Sequence, residues 1–119
     1  MSENFGGRIL FVGSVGHKFG GSYRHPSYSS SKFLLEYFPK YFRQSAENNI
    51  LVNTLRLGVM RGGTQTQKQL KSNELERRIK LIPTGKYVTH KEAVRNILFL
   101  CSFENESVHN SVLSISGGE

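Results

Sequence analysis

Apolar residues along the chain fall into short dense runs separated by polar or glycine-rich stretches. "GRILFVGS" (7–14) packs apolar residues densely into a short span closed by glycines, the pattern of a buried strand. "GHKFGGSYRHPS" (16–27) is rich in glycine and serine and predicts a loop. A long helix is expected from Ser27, which is placed to cap it. Phe33, Tyr37 and Tyr41 recur at four-residue spacing beside Leu34, Phe38 and Phe42. That apolar arc is too broad for one contact with a sheet, so a second buried contact such as a subunit interface is expected. Pro39 cannot donate to the Leu35 carbonyl, which predicts a kink.

"ILVNTLRLG" reads as a second buried strand, and "VMRGGTQTQKQLKSNELERRIK" begins loose and becomes a polar helix over 68–80. "LIPTGKYV" breaks it. "THKEAVRNILFLCS" opens with a capping box, Thr89 and Glu92, and predicts a helix with Val94, Ile97, Leu98 and Cys101 turned inward. "SVLSISGG" is a third strand. Strands alternating with helices over short connections argue for an α/β fold with a parallel sheet. Repeats, low-complexity tracts and linkers are absent, so residues 1–119 form one domain.

Composition narrows the function classes. The hydrophobic fraction is 37% and the charged fraction 21%, as in globular proteins, and no apolar run approaches the ~20 residues that span a bilayer. "MSENFGGRIL" lacks the basic start and apolar core of a secretory signal. One cysteine, Cys101, excludes an internal disulfide and fits a reducing compartment, the cytoplasm. The formal charge of +7 suits a nucleic-acid partner, but the basic residues are scattered without aromatic interleaving, so none is expected. His17, His25, His90 and His109 have no metal-ligand spacing with Cys101 or one another. They read as surface or loop residues, and no metal site is expected.

The candidate chemistry lies in "YSSSK". Tyr28 and Lys32 are one helical turn apart and share a face. An unperturbed tyrosine ionises near pH ~10, so a phenol working as an acid at neutral pH needs a cation beside it. The same spacing occurs by chance at Tyr87 and Lys91, where it straddles the capping residue Thr89. Only the first copy follows a strand-end serine: Ser14 stands at the carboxyl end of a strand, where ligands bind in open α/β sheets. A hydroxyl to orient a carbonyl, a phenol to give its proton and an ammonium to tune the phenol make a proton-transfer site. Lys18, Arg24 and Arg61 read as solvated loop cations, with an anionic substrate as the alternative.

In this order the segments resemble the short-chain dehydrogenase/reductase family. "GGRILFVGSVG" resembles its fifth strand with the catalytic serine, "YSSSK" its active-site motif, and "NILVNTLRLGVM" its sixth strand and the segment that meets nicotinamide. "LIPTGKYVTHKEAVRNILFLCS" and "LSISGGE" resemble the helix and closing strand that follow. The resemblance implies the C-terminal half of a Rossmann-like doubly wound sheet, with three strands and flanking helices. It implies an NAD- or NADP-dependent oxidoreductase that interconverts carbonyls and alcohols. Ser14, Tyr28 and Lys32 would be catalytic, and Tyr28, Lys32, Gly58, Val59 and Met60 would bind cofactor.

Two positions depart from the family pattern. Leu57 stands where a proline is usual, and the threonine expected soon after Met60 is displaced to Thr64 or Thr66. The family's glycine-rich turn for the pyrophosphate has no counterpart here. The chain is therefore expected to self-associate, or to pair with a chain that supplies the missing half, and to lack dehydrogenase activity alone. The alternative is a non-catalytic, truncated or split fragment that serves only subunit association.

Overall fold

A computed structural model describes residues 5–16, 24–60 and 72–119, except the side chains of Ser72 and Leu75. Three strands, β1 (Gly7–Ser14), β2 (Ile50–Leu57) and β3 (Ser111–Ile115), form a parallel sheet in the order β1-β2-β3. Each lies where the apolar runs predicted it. Between β1 and β2 come α1 (Pro26–Leu34), α2 (Phe38–Tyr41) and a 3-10 turn at Arg43–Asn48. Between β2 and β3 come α3 (Ser72–Leu81) and α4 (His90–Cys101). Residues 68–71 of the expected polar helix and most of the loop at 16–27 lie outside the described residues. Among the described residues no helix is long and apolar enough to cross a membrane.

The register assigns side chains to faces, because neighbours in parallel strands point the same way and successive residues alternate. Leu10, Leu55, Leu57, Leu113 and Ile115 share one face, and α4 covers it with Ala93, Ile97 and Leu100. Phe11, Gly13, Thr54 and Arg56 share the other, beneath α1 and α2. Helices on both faces explain why β2 is buried from Leu51 to Leu55.

The structure departs from the sequence reading in three places. First, the long helix is broken rather than kinked. Pro39 falls in the first turn of α2, where a missing N–H costs nothing, and the chain turns at 35–37 to reach it. The Leu35 carbonyl, which Pro39 has no proton to satisfy, instead accepts from Thr54 Oγ1 on β2. Second, α1 starts at Pro26 with His25 as its cap residue and no side-chain cap bond, so Ser27 lies inside the helix.

Third, α4 is capped as foreseen, with Thr89 Oγ1 accepting from the Glu92 N–H at 3.1 Å, but it is rotated by one stripe. Ala93 and Leu100 are buried, while Val94, Leu98 and Cys101 are exposed. The small Ala93 side chain lets the helix axis approach Leu55, which pulls the 93–97–100 stripe inward. His109 lies in the loop before β3, in keeping with its reading as a surface or loop residue, and there it is a structural latch. Its Nδ1 accepts from the Val52 N–H at 2.9 Å and its Nε2 lies 2.8 Å from the Arg43 carbonyl, which fixes the Nε2–H tautomer.

Candidate active site

The parallel register brings three strand ends into one row: Ser14 pairs with Leu57, and Leu57 with Ile115. Everything that leaves the sheet at this edge leaves side by side. Ser14 Oγ accepts from the Gly16 N–H at 3.2 Å, which fixes the oxygen and leaves the hydroxyl hydrogen able to point elsewhere. Tyr28 lies in the first turn of α1 and is 50% exposed, so its phenol is open to a ligand. Lys32 Nζ stands 5.8 Å from the centroid of the Tyr28 ring, within cation–π range, and donates to the Val12 carbonyl at 3.2 Å. The shared face expected from the four-residue spacing is therefore present, and the lysine ties it to the strand that ends in Ser14.

Gly58, Val59 and Met60 continue from β2 at the same edge with their backbone held on both sides. The Gly58 N–H donates to the Ile115 carbonyl at 2.8 Å, and the Val59 carbonyl accepts from the Val88 N–H at 3.0 Å. Met60 bridges Val88 in parallel. A Cβ on Gly58 would stand 2.7 Å from Ser116 Cα, so the close approach to the chain after β3 requires glycine. Leu57, where the family has proline, completes the row on both sides. The other Y-x-x-x-K copy makes no comparable pair: the Tyr87 hydroxyl is buried, and Lys91 is exposed on the first turn of α4.

Sequence reasoning missed the residues that hold α1. No residue of α1 is buried, so its apolar face does not seat it. Its far end is fastened instead by Thr54, and by Arg56, whose Nε and Nη2 hydrogen-bond the two carboxylate oxygens of Glu36. The side-chain hydrogen bond with Glu36 raises the Arg56 guanidinium above its ordinary range, against the burial that lowers it. The available signal was a threonine and an arginine two apart on one face of a largely apolar strand. Arg24 is exposed, while His17, Lys18, Arg61, Thr64 and Thr66 lie outside the described residues. Among the described residues no three histidine, cysteine or acidic side chains gather to hold a metal ion.

Residues 1–119 match the family model described as enoyl-(acyl carrier protein) reductase. The chain is 34% identical over 120 residues to carbonyl reductase family member 4 of Xenopus laevis, covering 99% of this chain and 47% of that protein. It is 30% identical over 114 residues to 3-oxoacyl-(acyl-carrier-protein) reductase FabG of Aquifex aeolicus (strain VF5), covering 94% of this chain and 44% of that one. Among solved structures, a 7α-hydroxysteroid dehydrogenase complexed with NADH and 7-oxo glycochenodeoxycholic acid superposes with a TM-score of 0.80 at 27% identity, over 98% of this chain and 45% of its own. The chain spans about half the length of the curated relatives it matches. A family model matched along the whole chain, reductase relatives and a three-stranded parallel sheet of Rossmann type lead to one assignment: the chain belongs to the short-chain dehydrogenase/reductase family of oxidoreductases.

Proposed function

We propose that this chain carries the acid–base and nicotinamide-facing part of an enzyme that interconverts carbonyl and alcohol groups with NAD or NADP. The observation that carries the reading is the Tyr28–Lys32 pair: one helix face, an ammonium 5.8 Å from the phenol ring, and a tie to the strand ending in Ser14. Donor chemistry at this edge suits the cofactor. Lys32 offers an ammonium to ribose hydroxyls, and the backbone of Gly58, Val59 and Met60 offers a carboxamide amide groups other than the Gly58 N–H and Val59 carbonyl already bonded within the fold. When bound, the nicotinamide supplies or accepts the hydride at the substrate carbon.

The chain's own residues do the rest. Ser14 donates its hydroxyl hydrogen to the substrate oxygen and holds it toward Tyr28. In reduction the Tyr28 phenol gives its proton to that oxygen as negative charge builds there, and in oxidation the phenolate takes it back. The Lys32 ammonium stabilises the phenolate by direct charge attraction. Proton and hydride together account for the two hydrogens gained or lost by the substrate.

The pyrophosphate and adenosine of the cofactor would be held by polypeptide beyond these residues, in the same chain or in a partner. These 119 residues are the fifth-to-seventh-strand portion of the family domain, and one cysteine fits a cytoplasmic setting. A specific observation favours a second reading, subunit association without catalysis. Phe33, Leu34, Tyr37 and Tyr41 are 57–69% exposed along α1 and α2, a face suited to a second copy of this chain.

The test is turnover of NADH and NADPH with a panel of aldehydes and ketones by the assembly that binds cofactor, beside its Tyr28→Phe variant. Loss of the phenol is expected to lower kcat by about 10²–10⁴-fold. Association without any turnover would support the second reading and overturn the first.

A further inference from the structure

The helix bearing Tyr28 and Lys32 has no buried residue and no side-chain cap at its start. A helix of nine residues has little stability of its own in water, so its position is set by what grips it. Besides the Lys32 bond to the Val12 carbonyl, the grip is polar and lies at its far end, where Thr54 and Arg56 rise from one face of β2 to Leu35 and Glu36. The helix passes close over Gly13, the register partner of Arg56: the Lys32 carbonyl lies 3.8 Å, an ordinary contact, from where a Gly13 Cβ would stand.

We propose that Arg56 is a positioning residue for the acid–base pair. Its two-pronged hold on Glu36, four residues beyond Lys32, fixes where α1 lies over β1, and with it where the Tyr28 phenol and the Lys32 ammonium stand. The inference rests on the reading of Tyr28 and Lys32 given above. Arginine suits the task because its planar fork matches a carboxylate in two parallel bonds, which sets an angle as well as a distance. The angle matters because the helix acts as a lever. Tyr28 and Leu34, the last residue of the helix before the grip, are six residues apart, about 9 Å at helical rise, so a tilt of about 6° at the grip moves the phenol by about 1 Å. Misplacement of that size costs on the order of 10²-fold in rate.

Arg8 provides the control. It too is a guanidinium with several hydrogen bonds, but to the backbone carbonyls of Gly7, Asn49 and Asn105 at the amino edge of the sheet. The experiment compares Arg56→Met, Glu36→Gln, the charge swap Arg56→Glu with Glu36→Arg, and Arg8→Met in the assembly that turns over NAD(P)H. Stability is read by urea unfolding. Arg56→Met and Glu36→Gln should each lower kcat about tenfold or more, with substrate KM held within about twofold. The swap should recover most of the loss. Arg8→Met should lower stability and leave kcat unchanged.

Parent kcat in Arg56→Met, or equal kcat losses in Arg56→Met and Arg8→Met at equal stability, would reduce Arg56 to a structural role and overturn the inference. Arg56→Lys, which keeps the charge but only one prong, serves if Arg56→Met does not fold, and should fall between parent and Glu36→Gln. If Tyr28→Phe turns over at the parent rate, the acid–base reading itself has failed. Amide hydrogen exchange at residues 29–35 then decides: faster in Arg56→Met than in Arg8→Met at matched stability supports the positioning grip, and equal rates refute it.

Discussion

Replacing Gly58 by alanine tests the close approach on which the nicotinamide-facing segment depends. The new Cβ would stand 2.7 Å from Ser116 Cα, 2.9 Å from Ser116 Cβ and 3.3 Å from the Ile115 carbonyl oxygen. Carbon atoms settle at about 3.5–4.0 Å, so residues 58–60 must move away from the end of β3 by about 1 Å. Ser116 is buried and has no room to withdraw. The movement stretches the 2.8 Å bond from the Gly58 N–H to the Ile115 carbonyl. Overpacking costs about 1–3 kcal/mol and the backbone bond about 1 kcal/mol, together about 2–4 kcal/mol. The assay is urea unfolding, read as a lower midpoint at unchanged slope. Gly13→Ala is the control, since its Cβ would meet nothing closer than 3.6 Å, an ordinary contact, and should cost less than about 1 kcal/mol. Equal midpoints for Gly58→Ala and Gly13→Ala would refute the argument.

At the opposite edge, Arg8→Met removes charged bonds to the carbonyls of Gly7, Asn49 and Asn105 and the stacking of the guanidinium 5.0 Å from the Phe103 centroid. Urea unfolding should show a loss of about 2–3 kcal/mol, and a loss below about 0.5 kcal/mol would deny the cluster its role. His109→Ala strands the buried Val52 N–H and should cost about 1–3 kcal/mol, with faster hydrogen exchange at the Val52 amide; unchanged exchange would contradict the latch. Thr89→Ala leaves the Glu92 N–H uncapped and should cost about 1 kcal/mol by thermal unfolding, whereas Thr89→Ser should be nearly neutral.

How much of this was legible in the sequence depends on the physics each element obeys. The strands were readable because a parallel sheet covered on both faces favours segments dense in apolar residues, as 7–14, 50–57 and 111–115 are despite Arg8, Asn53, Thr54 and Arg56. The cap of α4 was readable because Thr89 and Glu92 act over three residues. The phase of α4 was not. Its apolar arc is wider than its buried contact, and only the approach of Ala93 to the sheet selects the stripe that faces inward.

Pro39 was correctly seen to orphan the Leu35 carbonyl, but whether a helix then bends or breaks depends on what rescues that carbonyl. The rescuer, Thr54, lies on another strand. The Tyr28–Lys32 pair was legible because one helical turn enforces it. The grip of Arg56 on Glu36 was not, because it spans twenty positions of sequence and depends on the register of β1 with β2.

The most direct measurement is transfer of deuterium from reduced nicotinamide, labelled at the hydride-donating carbon, to a ketone in a single turnover, in the parent assembly and its Tyr28→Phe variant. The expected result is label on the product alcohol carbon in the parent, with transfer slowed by about 10²–10⁴-fold in Tyr28→Phe while cofactor still binds. Transfer at the parent rate without the phenol would contradict the assignment of Tyr28 as the acid, and with it the account of this site.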